Sequence, residues 1–147
     1  MNNQIFRKLL YLSSKFHNFY SDEIGACASS CGISRAEADV LLFFGNNPQF
    51  TNACDAVNYR RFSKAYVSKA LSSLSKRNYI KITENSSDSR YQQISINDCA
   101  RKTLKKLQDC QMSYINSLKA GISDEDFNTF IKVIDKITDN YLNQQKI

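Results

Sequence analysis

The sequence predicts a mainly α-helical fold carrying a small two-stranded antiparallel β wing, and three observations lead there. Apolar residues recur at helical spacing along most of the chain. Residues 79–83 and 91–96 are instead rich in β-branched and aromatic side chains and flank a polar stretch, the pattern of a hairpin. The single proline, Pro48, and the glycines Gly25, Gly32, Gly45 and Gly121 fall near expected helix ends, and no repeat or low-complexity linker divides the chain.

Taken in order, Ile5, Leu9, Leu12, Phe16 and Phe19 alternate spacings of four and three, a heptad-like seam suited to packing on another helix. Ser34 followed by Glu37 is a capping-box pattern. It opens a helix through Ala38, Leu41, Leu42 and Phe44 that Asn46-Asn47-Pro48 ends. Thr51 is the expected cap of a short helix reaching Tyr59, and Ser63 caps the next, whose apolar face is Val67, Ala70, Leu71 and Leu74. The hairpin follows, with residues 84–90 as its tip. Asn97 or Asp98 then starts a long helix through Leu104, Leu107, Tyr114, Ile115 and Leu118, ending at Gly121. Ser123 and the acids Asp124, Glu125 and Asp126 open the last helix, with Phe127, Phe130, Ile131, Ile134, Ile137 and Tyr141 as its stripe.

Helix, short helix, helix, hairpin is the order of a winged helix-turn-helix, and that unit needs only residues 34–97. Residues 1–33 and 98–147 carry more apolar surface than the unit can cover. They are expected to be N- and C-terminal dimerisation helices, with 1–147 forming a single domain.

Composition narrows the function classes. Hydrophobic residues at 42% and charged residues at 23% are ordinary for a globular protein. The longest apolar run, Val40 to Phe44, is far too short to cross a bilayer, and the Leu9–Leu12 stretch after Arg7-Lys8 is too short for a signal-peptide core. A cytoplasmic protein without a membrane partner is expected. The odd number of cysteines (Cys27, Cys31, Cys54, Cys99, Cys110) argues against a disulfide framework, and one histidine, His17, leaves no zinc-ligand spacing. No nucleophile–base pair, phosphate loop or metal motif stands out. The reading is therefore not an enzyme, with no cofactor and no metal.

Charge points to a polyanion. Residues 60–90 hold eight basic side chains (Arg60, Arg61, Lys64, Lys69, Lys76, Arg77, Lys81, Arg90) against Glu84 and Asp88, a net +6. The remaining residues carry twelve of each sign, so all the excess lies in this one segment. The helix from Ser63 to Arg77 presents Lys64, Ser68, Lys69, Ser72, Ser73 and Lys76 opposite its apolar face, with Tyr66 beside them. A major groove about 12 Å wide admits one helix, lysines reach phosphates or guanine edges, and small serines allow close approach. Arg90 on the wing is suited to an adjacent minor groove, and Asp88 to holding the wing loop by pairing with Arg90 or a backbone amide.

The run Phe62 to Leu71, followed by Leu74 and Arg77-Asn78-Tyr79-Ile80, resembles the recognition helix and first wing strand of MarR-family regulators. Asp88-Ser89-Arg90 resembles that family's Asp-x-Arg wing motif, and Gly32-Ile33-Ser34 its Gly-Leu-Thr turn. Asn78 stands where the family has glycine, Asn97-Asp98 where a threonine and an acidic or small residue are common, and Ala100 where glycine is usual. The resemblance implies a homodimer on a pseudo-palindromic double-stranded DNA operator, usually a repressor, and often one released by a small phenolic molecule or an oxidant. It carries DNA contact to Ser63, Lys64, Tyr66, Ser68, Lys69 and Arg90, and the charge pattern adds Arg60, Arg61, Ser72 and Lys76.

For a sensor, Cys27 and Cys31 form a candidate redox pair, one helical turn apart. Their acidic neighbours Asp22 and Glu23 oppose thiolate formation, and cysteine is often simply a small core residue. Tyr11, Phe16, Phe19, Tyr20 and Phe44 form a candidate pocket for a small aromatic effector, or else part of the core. Two other readings stay open at this level: a cysteine-based redox-sensing regulator, and a winged-helix protein-interaction module that does not bind DNA.

Overall fold

The computed structural model describes residues 3–85 and 88–144, with the side chains of residues 84–91 outside the described set. The chain divides into two compact units, Met1–Met112 and Ser113–Ile147. Its elements are α1 (Asn3–Ser30), α2 (Arg35–Asn46), α3 (Ala53–Arg60), α4 (Lys64–Lys76), β1 (Ile80–Asn85), β2 (Asp88–Ile96), a 3-10 turn (Asp98–Ala100), α5 (Arg101–Lys119) and α6 (Asp124–Gln144). The expected mainly helical fold with a two-stranded antiparallel wing is observed.

The first unit is built around α2. A helix apolar on all sides must be covered on all sides, and Ala38, Val40, Leu41, Leu42, Phe43 and Phe44 are all buried. Helices α1, α3 and α4 and strand β2 pack around it. Helix α4 contributes Val67, Ala70, Leu71 and Leu74, α1 contributes Ile24 and Ala28, and α5 contributes Leu107. Each fully buried leucine or isoleucine contributes about 2 kcal/mol of transfer free energy. Gly45 lets α5 approach, because a Cβ there would lie 2.5 Å from Leu104 Cδ1.

The wing pairs Ile80 with Ile96 and Ile82 with Ile94. Ile80 and Ile94 face the core while Lys81 and Ser95 face solvent, the period-two pattern of a sheet covered on one side. Pairing extends further than the sequence predicts, to Asn85 opposite Asp88. The outer hairpin residues are polar and leave no apolar signal to read.

Two expected caps hold and one moves. Ser34 and Glu37 form the reciprocal capping box of α2, and Ser63 caps α4 by accepting the Tyr66 amide at 3.1 Å. The cap of α3 is Asn52 rather than Thr51. Asn52 Oδ1 accepts the Asp55 amide and Asp55 Oδ2 accepts the Asn52 amide, each at 3.1 Å. Thr51 is committed elsewhere, its carbonyl accepting the Ile94 amide of the wing at 2.6 Å. Likewise the expected helix start at Asn97 or Asp98 is a single 3-10 turn, with α5 proper beginning at Arg101.

Helix α4 ends in a Schellman turn. The Tyr79 amide donates to the Leu74 carbonyl and the Asn78 amide to the Ser75 carbonyl, both at 2.9 Å. Asn78 takes the left-handed conformation (φ 59°), and Asn97 Nδ2 donates to its carbonyl at 2.9 Å. The substitution for glycine is thus accommodated, since asparagine enters this region at low cost.

The expected α1 seam lies outside this core. Ile5, Leu9, Leu12, Phe16 and Phe19 are between 41% and 60% exposed. In the second unit, Ser123 caps α6 by accepting the Asp126 amide at 3.1 Å, and Phe130, Ile131, Ile134, Ile137 and Tyr141 remain exposed. No helix among the described residues is long and apolar enough to cross a membrane.

Asn78→Ala is expected to lower unfolding stability by about 1 kcal/mol, whereas Asn78→Gly should stay near wild type. Urea unfolding of the two variants side by side checks this.

Candidate nucleic-acid interface

The turn between α3 and α4 is tight because Arg61 adopts a left-handed conformation (φ 55°). It brings Arg60 and Arg61 next to the start of α4, where Ser63 and Lys64 lie at the positive end of the helix dipole. Burial of Val67, Ala70, Leu71 and Leu74 turns the opposite face outward. Arg60, Arg61, Ser63, Lys64, Ser68, Lys69, Ser72 and Lys76 are all exposed. The wing strands follow directly, while the side chains of Asp88 and Arg90 lie outside the described residues.

Two expected surface groups turn inward. Tyr66 is half-buried, and its hydroxyl donates to Asp39 Oδ2 at 2.8 Å. Burial, then the hydrogen bond and negative charge of Asp39, push its phenol up to about 12, with Arg35 opposing. Ser73 donates its hydroxyl to Glu37 Oε1 at 2.7 Å. Both bonds tie α4 to α2.

The partners of these groups, Glu37 and Asp39, are the two buried charged residues among the described ones, 2% and 8% exposed. Glu37 accepts the Ser34 amide on Oε2 (2.7 Å) and both Ser73 and Arg77 Nε (2.8 Å) on Oε1. Burial by itself raises its pKa, but the Ser34 amide, the Ser73 and Ser34 hydroxyls and the Arg77 charge outweigh it, and the net shift is downward. Asp39 accepts Arg35 Nε on Oδ1 at 2.9 Å besides Tyr66 on Oδ2. From sequence Glu37 reads only as a capping residue, and Asp39 carries no signal of its own. The one available signal was spacing: Ser73 and Arg77, four apart, form a polar stripe beside the buried face of α4. Arg77 is thereby paired with the buried Glu37, although its own side chain stays 44% exposed.

The candidate sensor groups are rearranged. Of the expected aromatic pocket, Tyr20 lines a cleft, which it shares with Asp39, Phe43, Asn46, Tyr59, Arg60 and Gln111. Phe44 is 6% exposed in the core, while Tyr11, Phe16 and Phe19 lie on the exposed half of α1. The cleft offers about 50 Å³, against roughly 150 Å³ for a cavity that holds one benzene. The candidate redox pair has an unfavourable setting at Cys27. Cys27 is buried, and its thiol is pushed up to about 12 by burial, then by the Cys110 hydrogen bond and the charges of Cys110 and Cys31, with Lys106 opposing. A thiol so raised is neutral at physiological pH, the reverse of what a thiolate sensor needs. Cys31 is half-buried, and Cys54 and Cys99 are exposed. Among the described residues no three His, Cys, Asp or Glu side chains converge on a metal position.

Residues 32–90 match the family model of the MarR family. No curated protein matches the chain in sequence. A MarR transcriptional regulator from Methanosarcina mazei Go1 superposes with a TM-score of 0.78 at 14% identity, covering 93% of this chain and 98% of that one. A MarR protein from Peptoclostridium difficile gives 0.73 at 18%, covering 98% and 91%. MepR of S. aureus, solved as a DNA complex, gives 0.70 at 14%, covering 89% and 94%. At such identities the likeness is one of fold. The MarR resemblance expected from the motifs therefore holds, by sequence over the winged unit and by fold over most of the chain.

Glu37 makes stability pH-dependent with a definite sign. Its folded-state pKa is depressed, so its contribution is complete above the ordinary glutamate value of 4.5 and is lost as pH falls through the lower folded-state value. Glu37→Gln should cost about 2 kcal/mol near neutral pH, with the gap to wild type closing in acid. Urea midpoints measured from neutral pH down through and below the ordinary glutamate value of 4.5 check it. With a disulfide reagent, Cys54 and Cys99 should react first and Cys27 only on unfolding, as timed mass spectrometry would record.

Proposed function

We propose that this chain is a dimeric transcriptional regulator that binds double-stranded DNA, inserting α4 into the major groove and the wing into the adjacent minor groove. The observation that carries this reading is the outward face of α4, where Ser63, Lys64, Ser68, Lys69, Ser72 and Lys76 are exposed together. Arg60 and Arg61 flank its entry, and the whole excess charge of +6 falls within residues 60–90. Lysines and serines on a helix of this width match groove and phosphate chemistry. The fold it shares with MepR, solved with DNA bound, supports the same role. In this reading Arg90 enters the minor groove and Asp88 steadies the wing.

Dimerisation is the favoured explanation for the apolar residues left exposed on the first half of α1 and along α6. Helix faces of this kind are covered in solution, and a second copy of the same chain is the simplest cover. A dimer then presents two reading helices about 34 Å apart to a pseudo-palindromic operator in the cytoplasm. We further propose a repressor released by a small aromatic effector. The cleft lined by Tyr20, Phe43, Tyr59 and Arg60 is the place for it. At about 50 Å³ it would have to widen, so the effector would favour a conformation other than the one described.

Selection of duplexes from a random pool should return a palindromic sequence. On that sequence Lys64→Ala and Lys69→Ala should each weaken binding without unfolding the protein, and binding should fall with salt by a slope of about 0.9 per neutralised phosphate. Unchanged affinity in both variants, or a response flat in salt, would overturn the proposal and favour a protein-interaction module.

A further inference from the structure

The hydrogen bonds around Asp39 run in one line from α1 to α4. On one side the Tyr66 hydroxyl donates to Oδ2 at 2.8 Å. On the other, Arg35 Nε donates to Oδ1 at 2.9 Å. Arg35 Nη1 donates in turn to Ser21 Oγ at 2.9 Å and to the Ser21 carbonyl, and its guanidinium lies 5.7 Å from the centre of the Tyr20 ring. Asp39 is 8% exposed and stands in the wall of the cleft, as does Tyr20.

The two buried carboxylates of α2 hold different ends of α4. Glu37 grips its C-terminal end through Ser73 and Arg77. Asp39 grips its first turn through Tyr66, which lies between Lys64 and the Ser68-Lys69 pair. The N-terminal half of a reading helix is the part that enters the groove, so the Asp39 contact acts where a small tilt moves the reading side chains most. Both oxygens of Asp39 are in use, so anything that draws one away, from α1 or from the cleft, loosens the other.

We propose that Asp39 is a positioning residue for DNA reading, which sets the attitude of the first turn of α4 and couples it to Ser21 of α1. This rests on α4 being the DNA-reading helix. Asp39 touches no DNA itself. It acts through Tyr66, and Arg35 transmits the position of α1 to it.

The test uses the full chain and a duplex selected by the wild-type protein, with Asp39→Asn, Tyr66→Phe, their double variant and Arg35→Met. Affinities are measured well below each variant's unfolding midpoint and over a range of salt. Each single change should weaken binding about tenfold, the scale of one charge-assisted hydrogen bond. The double variant should be no weaker than the weaker-binding single, because both remove the same contact. The salt slope should not move, because no phosphate contact is lost. Amides of residues 66–69 should exchange faster in the variants without DNA. Equal affinity of the variants and wild type, additive losses in the double, or a reduced salt slope in Tyr66→Phe would overturn the role, the last by putting the phenol on a phosphate. If the wild type selects no duplex, the reading of α4 falls and this role with it. If the wild type binds with a steep salt slope and the Asp39 variants bind equally well, the role of Asp39 alone falls.

Discussion

A carboxylate removed from water destabilises a protein by several kcal/mol unless its oxygens are matched by donors, and α2 carries two of them. Glu37 is met by the Ser34 amide, Ser73 and Arg77, and Asp39 by Arg35 and Tyr66. Because these donors come from α4 as well as α2 itself, satisfying the charges requires α4 to lie in one orientation on α2. The apolar contacts of Val67, Ala70, Leu71 and Leu74 hold α4 to the core, but greasy contacts tolerate sliding. The directional bonds at both ends remove that freedom. The outward row of lysines and serines follows from this constraint.

Helix α4 thus divides its polar residues by role. Lys64, Ser68, Lys69, Ser72 and Lys76 face outward, whereas Tyr66, Ser73 and Arg77 face α2. Its far end is closed by the left-handed Asn78, which Asn97 and Cys99 bond from beyond the wing. The wing is tied to the start of α3 through the Thr51 carbonyl and the Ile94 amide. The orientation of the outward face of α4 is therefore fixed by bonds outside that face.

Local rules made much of this legible. The Ser34–Glu37 box, the Ser63 cap, the apolar period of α4 and the Gly32 turn are all decided within a few residues, where hydrogen-bond geometry and helical periodicity act. The cap of α3 lies one residue past Thr51 because Asn52 and Asp55 form a reciprocal box there, while the Thr51 carbonyl accepts the Ile94 amide of the wing. The aromatic residues divide for a reason that is also not local. Tyr11 and Phe44 share an apolar character, yet one is 65% exposed on α1 and the other 6% exposed in the core. Nothing local distinguishes them, because coverage depends on which helices meet.

By itself, then, the sequence determined the order of elements, the caps that start α2 and α4, and the confinement of the excess charge to residues 60–90. These are properties of neighbouring residues and of composition. Only the tertiary structure decided that Tyr66 and Ser73 turn inward, that Glu37 and Asp39 are buried with Arg77 and Arg35 as partners, and that burial pushes the Cys27 thiol up. Each of those depends on desolvation and on a partner from another helix. A side chain's charge and hydrogen-bonding capacity are written in the chain, but whether water or a second helix answers them is settled by packing.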